Sequence, residues 1–243
     1  MTGSGLYDLY DNAGTTFEVP PHFYEEAIAL APRYVHDAEK LESLVRDINA
    51  RKERCLPQHQ FNLVCDVLVR AHDDRNHAIS GKELIYPDTV RQWGKCRKRG
   101  TNIALLTSGT IEYTERFLEF PLDGLRAKEY VETILSGSEV GDKNNPETFI
   151  RIWKEFDAAN PGQRKINAIF DDKLSVAKAA LVAHRNITSK ISSSPYNFFL
   201  VDRKGKVDEE EIRELRRQYP FFQCIRNFDE LQENYGDSKN EMG

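Results

Sequence analysis

The sequence of 243 residues has few cysteines and no long apolar run, and both features exclude classes of protein. Its four cysteines, Cys55, Cys65, Cys96 and Cys224, are scattered and contain no CxxC pair. This spacing argues against a disulfide framework or a zinc site and is typical of a reducing compartment. No stretch approaches the ~20 apolar residues that a membrane span requires, so we expect no membrane association.

A secretory signal and an excess of positive charge are also lacking. The first eight residues contain neither a basic region nor an apolar run, and together with the cysteine usage this predicts a cytoplasmic protein. The 39 acidic and 34 basic residues give a net charge of −5. Nucleic acid and anionic membranes are therefore not expected as partners. The nine apolar residue types make up 40% of the chain, which excludes a wholly disordered protein.

Residues 1–60 are predicted to form an N-terminal extension. Residues 1–20 are rich in Gly, Thr, Asp and Asn, and we interpret them as a loose arm. Apolar residues then recur at helical spacing from Phe23 to about Arg54, and Pro32 is predicted to separate two helices. We expect these helices to serve either as a cap or as the surface of a homodimer.

From residue 61 onwards, short apolar runs alternate with helical segments. This alternation is typical of a parallel sheet whose two faces are covered by helices. We therefore predict an α/β fold, a doubly wound parallel sheet, for residues 61–235 and a disordered tail for residues 236–243. The predicted strands are 61–65, 103–106, 130–135, 166–170, 198–201 and 222–225, with the first in the centre.

Polar residues follow several of these strands, at the edge where ligands bind in doubly wound sheets. They comprise a carboxylate, hydroxyl groups at a helix N-terminus, a lysine and an acidic pair. This collection suits phosphoryl transfer, which needs a nucleophile, anion-binding groups and ligands for a hard cation such as Mg²⁺. The candidates are Asp66, Thr107, Ser108, Gly109, Lys143, Asp171 and Asp172.

The order and spacing of these residues resemble the haloacid dehalogenase-like (HAD) superfamily. Leu105-Leu-Thr-Ser-Gly109 is similar to its second motif, and Lys143 followed by Pro-x-x-Phe149 is similar to its third. Ile166-Asn-Ala-Ile-Phe-Asp-Asp172 is similar to its fourth. The resemblance covers about residues 61–230 and implies a HAD-like Rossmannoid core, in most members that of a magnesium-dependent phosphatase.

The resemblance also implies a role for each candidate. Asp66 would be the nucleophile and a Mg²⁺ ligand, and Asp171 and Asp172 would complete the metal site. Thr107 and Lys143 would act in catalysis by holding the phosphoryl oxygens. Ser108 and Gly109 would add to this phosphate site.

The first motif departs from the family pattern, which is Asp-x-Asp-x-Thr/Val with the nucleophile first and the general acid second. With Asp66 as nucleophile, Leu68 takes the acid position and Arg70 the Thr position. Sliding the pattern by two residues instead makes Asp66 the acid and puts Val64 in the nucleophile position. We prefer the first register, because residues 61–65 then form a full strand that ends at the carboxylate. Leucine offers no proton, so monoester hydrolysis would be slowed by roughly 10²–10⁴.

Two classes of function therefore stay open. The first is a Mg²⁺-dependent phosphatase that acts on a small phosphorylated molecule through an aspartyl nucleophile, weakly because the acid is absent. The second is a catalytically inactive HAD-like binding or regulatory protein. Hydrolytic dehalogenation at carbon needs a nucleophile but no metal, and the acidic pair argues mildly against it.

Overall fold

The computed structural model of the chain describes residues 6–11, 21–50, 58–74, 85–108, 111–119, 121–122, 125–159, 166–188 and 196–231. The described strands are β1 (Leu6–Tyr10), β2 (Thr101–Thr107), β3 (Pro121–Leu122), β4 (Leu125–Arg126), β5 (Val131–Ser136), β6 (Ile166–Asp171), β7 (Asn197–Val201) and β8 (Phe222–Ile225). The described helices are α1 (Pro21–Tyr34), α2 (Ala38–Ala50), α3 (Gln58–Asp73), α4 (Pro87–Lys98), α5 (Ile111–Leu118), α6 (Gly137–Val140), α7 (Pro146–Ala159), α8 (Leu174–Thr188) and α9 (Glu209–Gln218).

A six-stranded sheet lies at the centre of one compact unit. Its strand order is β5-β2-β1-β6-β7-β8, and all of its pairings are parallel. The predicted doubly wound α/β fold is confirmed. The last five predicted strands correspond to β2, β5, β6, β7 and β8.

The central strand comes from a segment that was predicted to be a loose arm. β1 pairs with β2 on one side and with β6 on the other. Four of its five residues are buried. The prediction of an arm is therefore wrong for Leu6–Tyr10, because neighbours on both sides satisfy the backbone of this short strand.

The prediction of a strand at residues 61–65 is wrong, since this segment lies within α3. Its buried residues include Phe61, Val64, Leu68 and Ala71. Their spacing of three to four residues produces one apolar stripe along a helix. An apolar run of five residues is compatible with this stripe as well as with a strand, and the longer window decides between them.

Helices cover both faces of the sheet. On one face, Tyr7 and Leu9 belong to a core cluster that also contains Phe149 and Phe156 of α7 and residues of α8 and α9. On the other face, the Tyr10 ring stacks on Phe170 with the centroids 4.5 Å apart. Trp93 of α4 meets the same tyrosine edge-on at 6.1 Å. These two layers fix β1 and therefore the residue that follows it.

The helices predicted in the N-terminal extension are present as α1 and α2. Pro32 lies inside the last turn of α1 rather than between the helices. The break follows at residues 35–37, where Asp37 accepts a hydrogen bond from the Lys40 amide at 3.1 Å. An acidic side chain in this position caps the start of a helix.

A second compact unit comprises Thr16–Tyr86 and Ile111–Glu129, and the sheet-bearing unit comprises Met1–Thr15, Pro87–Thr110 and Tyr130–Gly243. The predicted division at residue 61 does not coincide with this one, because β1 belongs with the sheet. In the second unit α3 packs against α1 and α5.

The predicted disordered tail, 236–243, lies outside the described residues. None of the described helices is long and apolar enough to cross a bilayer.

Candidate active site

Two aspartates lie side by side at the carboxyl edge of the sheet. Asp11 directly follows β1, and Asp171 is the last residue of the neighbouring β6. Tyr10 pairs with Phe170, and the Asp11 amide donates to the Phe170 carbonyl at 2.8 Å. Because the strands are parallel and in this register, both carboxylates leave the sheet at the same edge.

Lys143 lies between these carboxylates. Its Nζ forms an ion pair with Asp11 and lies 3.1 Å from Asp171 Oδ2. It also donates to the Leu106 carbonyl at 3.3 Å. The side chains of Lys143, Asp11 and Asp171 are only 2%, 2% and 1% exposed. Three distant segments of the chain therefore meet in one buried charged cluster.

The charges in this cluster do not balance, and the pKa values reflect this. Burial disfavours the Lys143 ammonium, but the charges of Asp11 and Asp171 outweigh this effect and raise the pKa of Lys143. Burial and the charge of Asp11 raise the pKa of Asp171 to about 8, although Lys143 acts in the opposite direction. Protonation of Asp171 thus relieves the repulsion between the two buried carboxylates that share one ammonium, and a further cation bound beside them would instead favour the ionised form of Asp171.

Asp172 completes a set of carboxylates that could hold such a cation. One oxygen each from Asp11, Asp171 and Asp172 lies within 4.8 Å of the others. Asp172 as a residue is exposed, but its carboxyl group is partly desolvated by the surrounding protein, and this desolvation together with the charge of Asp11 raises its pKa. Carboxylate oxygens from a few residues, completed by water and substrate, are the ligands that Mg²⁺ takes in proteins. The donor set therefore fits Mg²⁺.

Thr107 and Ser108 lie at the carboxyl end of β2, next to β1 in the sheet. Thr107 is buried and pairs with Ser136 of β5, whereas Ser108 is exposed. Gly109, predicted with them to bind phosphate, lies outside the described residues. Lys143 contacts the carbonyl of Leu106, the residue before Thr107. The sequence-predicted Thr107, Lys143 and Asp171 thus all belong to the carboxyl-edge region of the sheet.

Asp66, which was predicted to be the nucleophile, has a different environment. It lies within α3 and forms an ion pair with Arg116 of α5 at 2.8 Å. Both residues line a charged cavity of about 380 Å³ in the helical unit, together with Arg70. Leu68 is buried. The premise that Asp66 ends a strand is wrong, and both registers of the first motif around it fail with that premise.

Asp11 is the functional candidate that the sequence reasoning missed. The chain reads Asp11-Asn-Ala13-Gly-Thr15, which matches the family pattern at the nucleophile and at the Thr position. Ala13 stands where the pattern has the general acid. The sequence therefore contains the first-motif pattern at residues 11–15. The run that precedes this pattern, Leu-Tyr-Asp-Leu-Tyr, is short and contains a charge, so it does not look like a buried strand.

Comparison with known proteins supports the fold. No family model and no curated protein matches the chain. Among solved structures, the UTR4 protein of Saccharomyces cerevisiae is similar, with 13% identity and a TM-score of 0.54 over 94% of this chain and 100% of that one. A HAD phosphatase from Thermococcus onnurineus shares 19% identity with a TM-score of 0.47, over 95% and 98% of the two chains.

A putative HAD-hydrolase, YfnB from Bacillus subtilis, is 15% identical with a TM-score of 0.46, over 94% and 97% of the two chains. At such identities a likeness concerns the fold alone, and of these three structures the UTR4 protein, with a TM-score above 0.5, supports that conclusion. The chain has an α/β fold around a six-stranded parallel sheet, and the UTR4 protein has a similar fold.

Proposed function

We propose that the chain is a Mg²⁺-dependent phosphohydrolase that acts on a small phosphorylated molecule, with Asp11 as nucleophile. The observation that carries this proposal is the convergence of Asp11, Lys143 and Asp171 in one buried cluster. A carboxylate that directly follows a central strand, beside a lysine and two further carboxylates, has the groups that phosphoryl transfer needs.

The proposed reaction has two steps. The Asp11 carboxylate attacks phosphorus, an aspartyl-phosphate bond forms, and the bond from phosphorus to the leaving oxygen breaks. Water then cleaves the aspartyl-phosphate, which releases phosphate and restores Asp11. Lys143 and Thr107 hold the phosphoryl oxygens during both steps, with Ser108 adding a hydroxyl group.

Asp11, Asp171 and Asp172 would hold the metal ion. When bound, Mg²⁺ would neutralise negative charge on the phosphoryl group next to the buried carboxylates. The chain's own contribution is to fix the carboxylates at the ends of two hydrogen-bonded strands. Asp171 is held further by the Lys173 amide, which donates to its Oδ1 at 2.9 Å.

Ala13 limits the substrates that this site would turn over. In the register that starts at Asp11, alanine takes the position of the general acid. It provides no proton for the departing oxygen, so only activated leaving groups are expected to react well. The same residue favours the alternative function, a HAD-like binding or regulatory protein that holds a phosphorylated ligand without hydrolysing it.

The helical unit is the proposed source of substrate choice. With β1 at Leu6–Tyr10, this unit enters the sequence directly after the first motif, and its second segment follows the second motif. These are the two places at which HAD-like proteins usually carry insertions. A homodimer formed through the N-terminal helices stays a prediction.

Turnover of p-nitrophenyl phosphate tests the proposal, because this ester needs little acid assistance. We expect weak Mg²⁺-dependent hydrolysis that Asp11→Asn abolishes. Ala13→Asp is expected to raise the rate with substrates that have poorer leaving groups. Asp66→Asn distinguishes the two nucleophile assignments, since it makes the same chemical change in the helical unit and should leave turnover intact.

The same variants also define the results that would contradict the proposal. Equal background rates for wild type, Asp11→Asn and Ala13→Asp, with and without Mg²⁺, would exclude catalysis through Asp11. If calorimetry still detects Mg²⁺ and inorganic phosphate binding that Asp11→Asn weakens, the binding protein is the better account. If Asp66→Asn alone abolishes turnover, the nucleophile assignment to Asp11 is wrong.

A further inference from the structure

The segment that presents Lys143 is a short, tightly hydrogen-bonded loop between α6 and α7. The Asn145 amide donates to the Asp142 carbonyl at 2.9 Å, so Lys143 is the second residue of a tight turn. Asp142 Oδ1 accepts a hydrogen bond from the Asn144 amide at 2.9 Å, so a side-chain hydrogen bond also stabilises this turn. The Lys143 backbone is thereby confined to one conformation relative to Asp142.

Thr148, in the first turn of α7, ties this turn to the helix. Its side-chain hydroxyl donates to the Asp142 carbonyl at 2.6 Å, and the residue is 3% exposed. Gly141 has a φ of +105°, and a Cβ atom on it would lie 2.9 Å from Thr148 Oγ1. The glycine thus leaves the space into which the threonine hydroxyl fits.

Helix α7 itself is anchored in the core. Phe149 and Ile152 are 1% and 0% exposed and belong to the cluster that packs on the sheet. Thr148 is therefore attached to a rigid element, and its hydroxyl group transmits that rigidity to the Asp142 carbonyl. This carbonyl belongs to the peptide bond between Asp142 and Lys143, so fixing it also fixes the start of the Lys143 backbone.

We propose that Thr148 is a positioning residue that holds Lys143 in place between Asp11 and Asp171. Lysine has a long side chain with several rotatable bonds. Its backbone therefore has to be held in one position if its Nζ is to stay between two carboxylates. Thr148 acts through the Asp142 carbonyl and contacts none of the three charged groups in the described hydrogen bonds. The functional meaning of this role, though not the contact itself, rests on the proposed phosphohydrolase.

Because Lys143 is buried, the rate at which a reagent modifies its amine reports whether the side chain stays in position. In wild type the amine is ion-paired and inaccessible, so an amine-acetylating reagent should modify it slowly under native conditions. Thr148→Val keeps the shape of the side chain but removes the hydroxyl donor. We expect acetylation of Lys143, followed by peptide mass spectrometry, to be about fivefold faster in this variant, the shift that one lost hydrogen bond produces in a local equilibrium.

Two further variants make the result specific. Thr148→Ser restores the hydroxyl and should return the Lys143 labelling rate to that of wild type. Thr188→Val removes a hydroxyl that also donates to a backbone carbonyl, that of His184 at 3.0 Å, but at the far end of α8. It should leave Lys143 labelling unchanged even if it lowers stability, which excludes global unfolding as the cause. Thr148→Ala repeats the test if the valine variant does not fold.

Labelling separates this inference from the proposed function. If Thr148→Val and Thr148→Ala label Lys143 at the wild-type rate, Thr148 does not position the lysine, whatever the activity. If labelling changes as expected but wild type turns over no phosphate ester, the positioning role stands and the enzyme proposal fails. Faster labelling in Thr148→Ser equal to that in Thr148→Val would also overturn the inference, since the hydroxyl would then be irrelevant.

Discussion

Removal of the Lys143 ammonium should destabilise the protein strongly, because it leaves Asp11 and Asp171 buried without a counter-charge. The side chains of Lys143, Asp11 and Asp171 are at most 2% exposed, so both ion pairs are shielded from solvent. Loss of one partner from a buried pair typically costs about 3–5 kcal/mol. The carboxylates can take up protons, which limits the loss, so we expect about 3 kcal/mol for Lys143→Met.

This loss is large enough to measure by thermal unfolding. In a chain of this size, about 3 kcal/mol corresponds to a decrease in Tm of roughly 6–12 °C. Mg²⁺ bound at the acidic cluster would supply the missing positive charge. We therefore expect MgCl₂ to raise the Tm of Lys143→Met by more than it raises the Tm of wild type.

A surface ion pair provides the matched control. Arg213 pairs with Glu210 on α9, and the two side chains are 62% and 69% exposed. Arg213→Gln should change the free energy of unfolding by less than about 1 kcal/mol, because solvent screens such pairs. The reasoning is refuted if Lys143→Met is as stable as Arg213→Gln, or if Mg²⁺ stabilises wild type and Lys143→Met equally.

Two further predictions concern the packing around the site. Gly141→Ala should lower stability by about 1–3 kcal/mol in urea unfolding, since an L-residue is strained at this φ and its Cβ would crowd Thr148; wild-type stability in this variant would contradict the assigned backbone conformation. Burial raises the pKa of the Cys65 and Cys96 thiols, so in the native protein both stay protonated at about pH 8 and should react with a thiol reagent only after unfolding. Rapid modification of either cysteine in the folded protein, detected by mass spectrometry, would show that its burial is misassigned.

Most of the sheet could be predicted from the sequence because several of its strands contain continuous apolar runs. Ile103-Ala-Leu-Leu106 and Phe198-Phe-Leu-Val201 are buried on both faces, so each is a continuous apolar run bounded by polar residues. The residues that follow such runs were identified for the same reason. The sequence therefore predicts that Lys143 and Asp171 lie at the carboxyl edge of the sheet.

The first strand could not be recognised in the same way. Asp8 is buried in the middle of β1, where Asn167 donates to its Oδ1 at 2.9 Å and the Cys96 thiol lies 3.2 Å from its Oδ2. These partners come from β6 and α4, far away in the sequence, and they compensate a charge that makes the segment resemble a loop. Tertiary contacts of this kind are invisible to a local pattern, and Asp11 was missed together with its strand.

The position of β1 in the sheet also determines when the sheet can assemble. Leu6 pairs with Thr101 and Tyr7 pairs with Ile166, so β1 is synthesised long before the two strands with which it pairs. Contacts between residues so distant in sequence slow folding, because a long loop has to close before any pairing is gained. During synthesis, the helical unit can collapse while the apolar residues of β1 remain without partners. The carboxylate that we assign to catalysis is thus attached to a strand that can enter the sheet only after most of the chain has been synthesised.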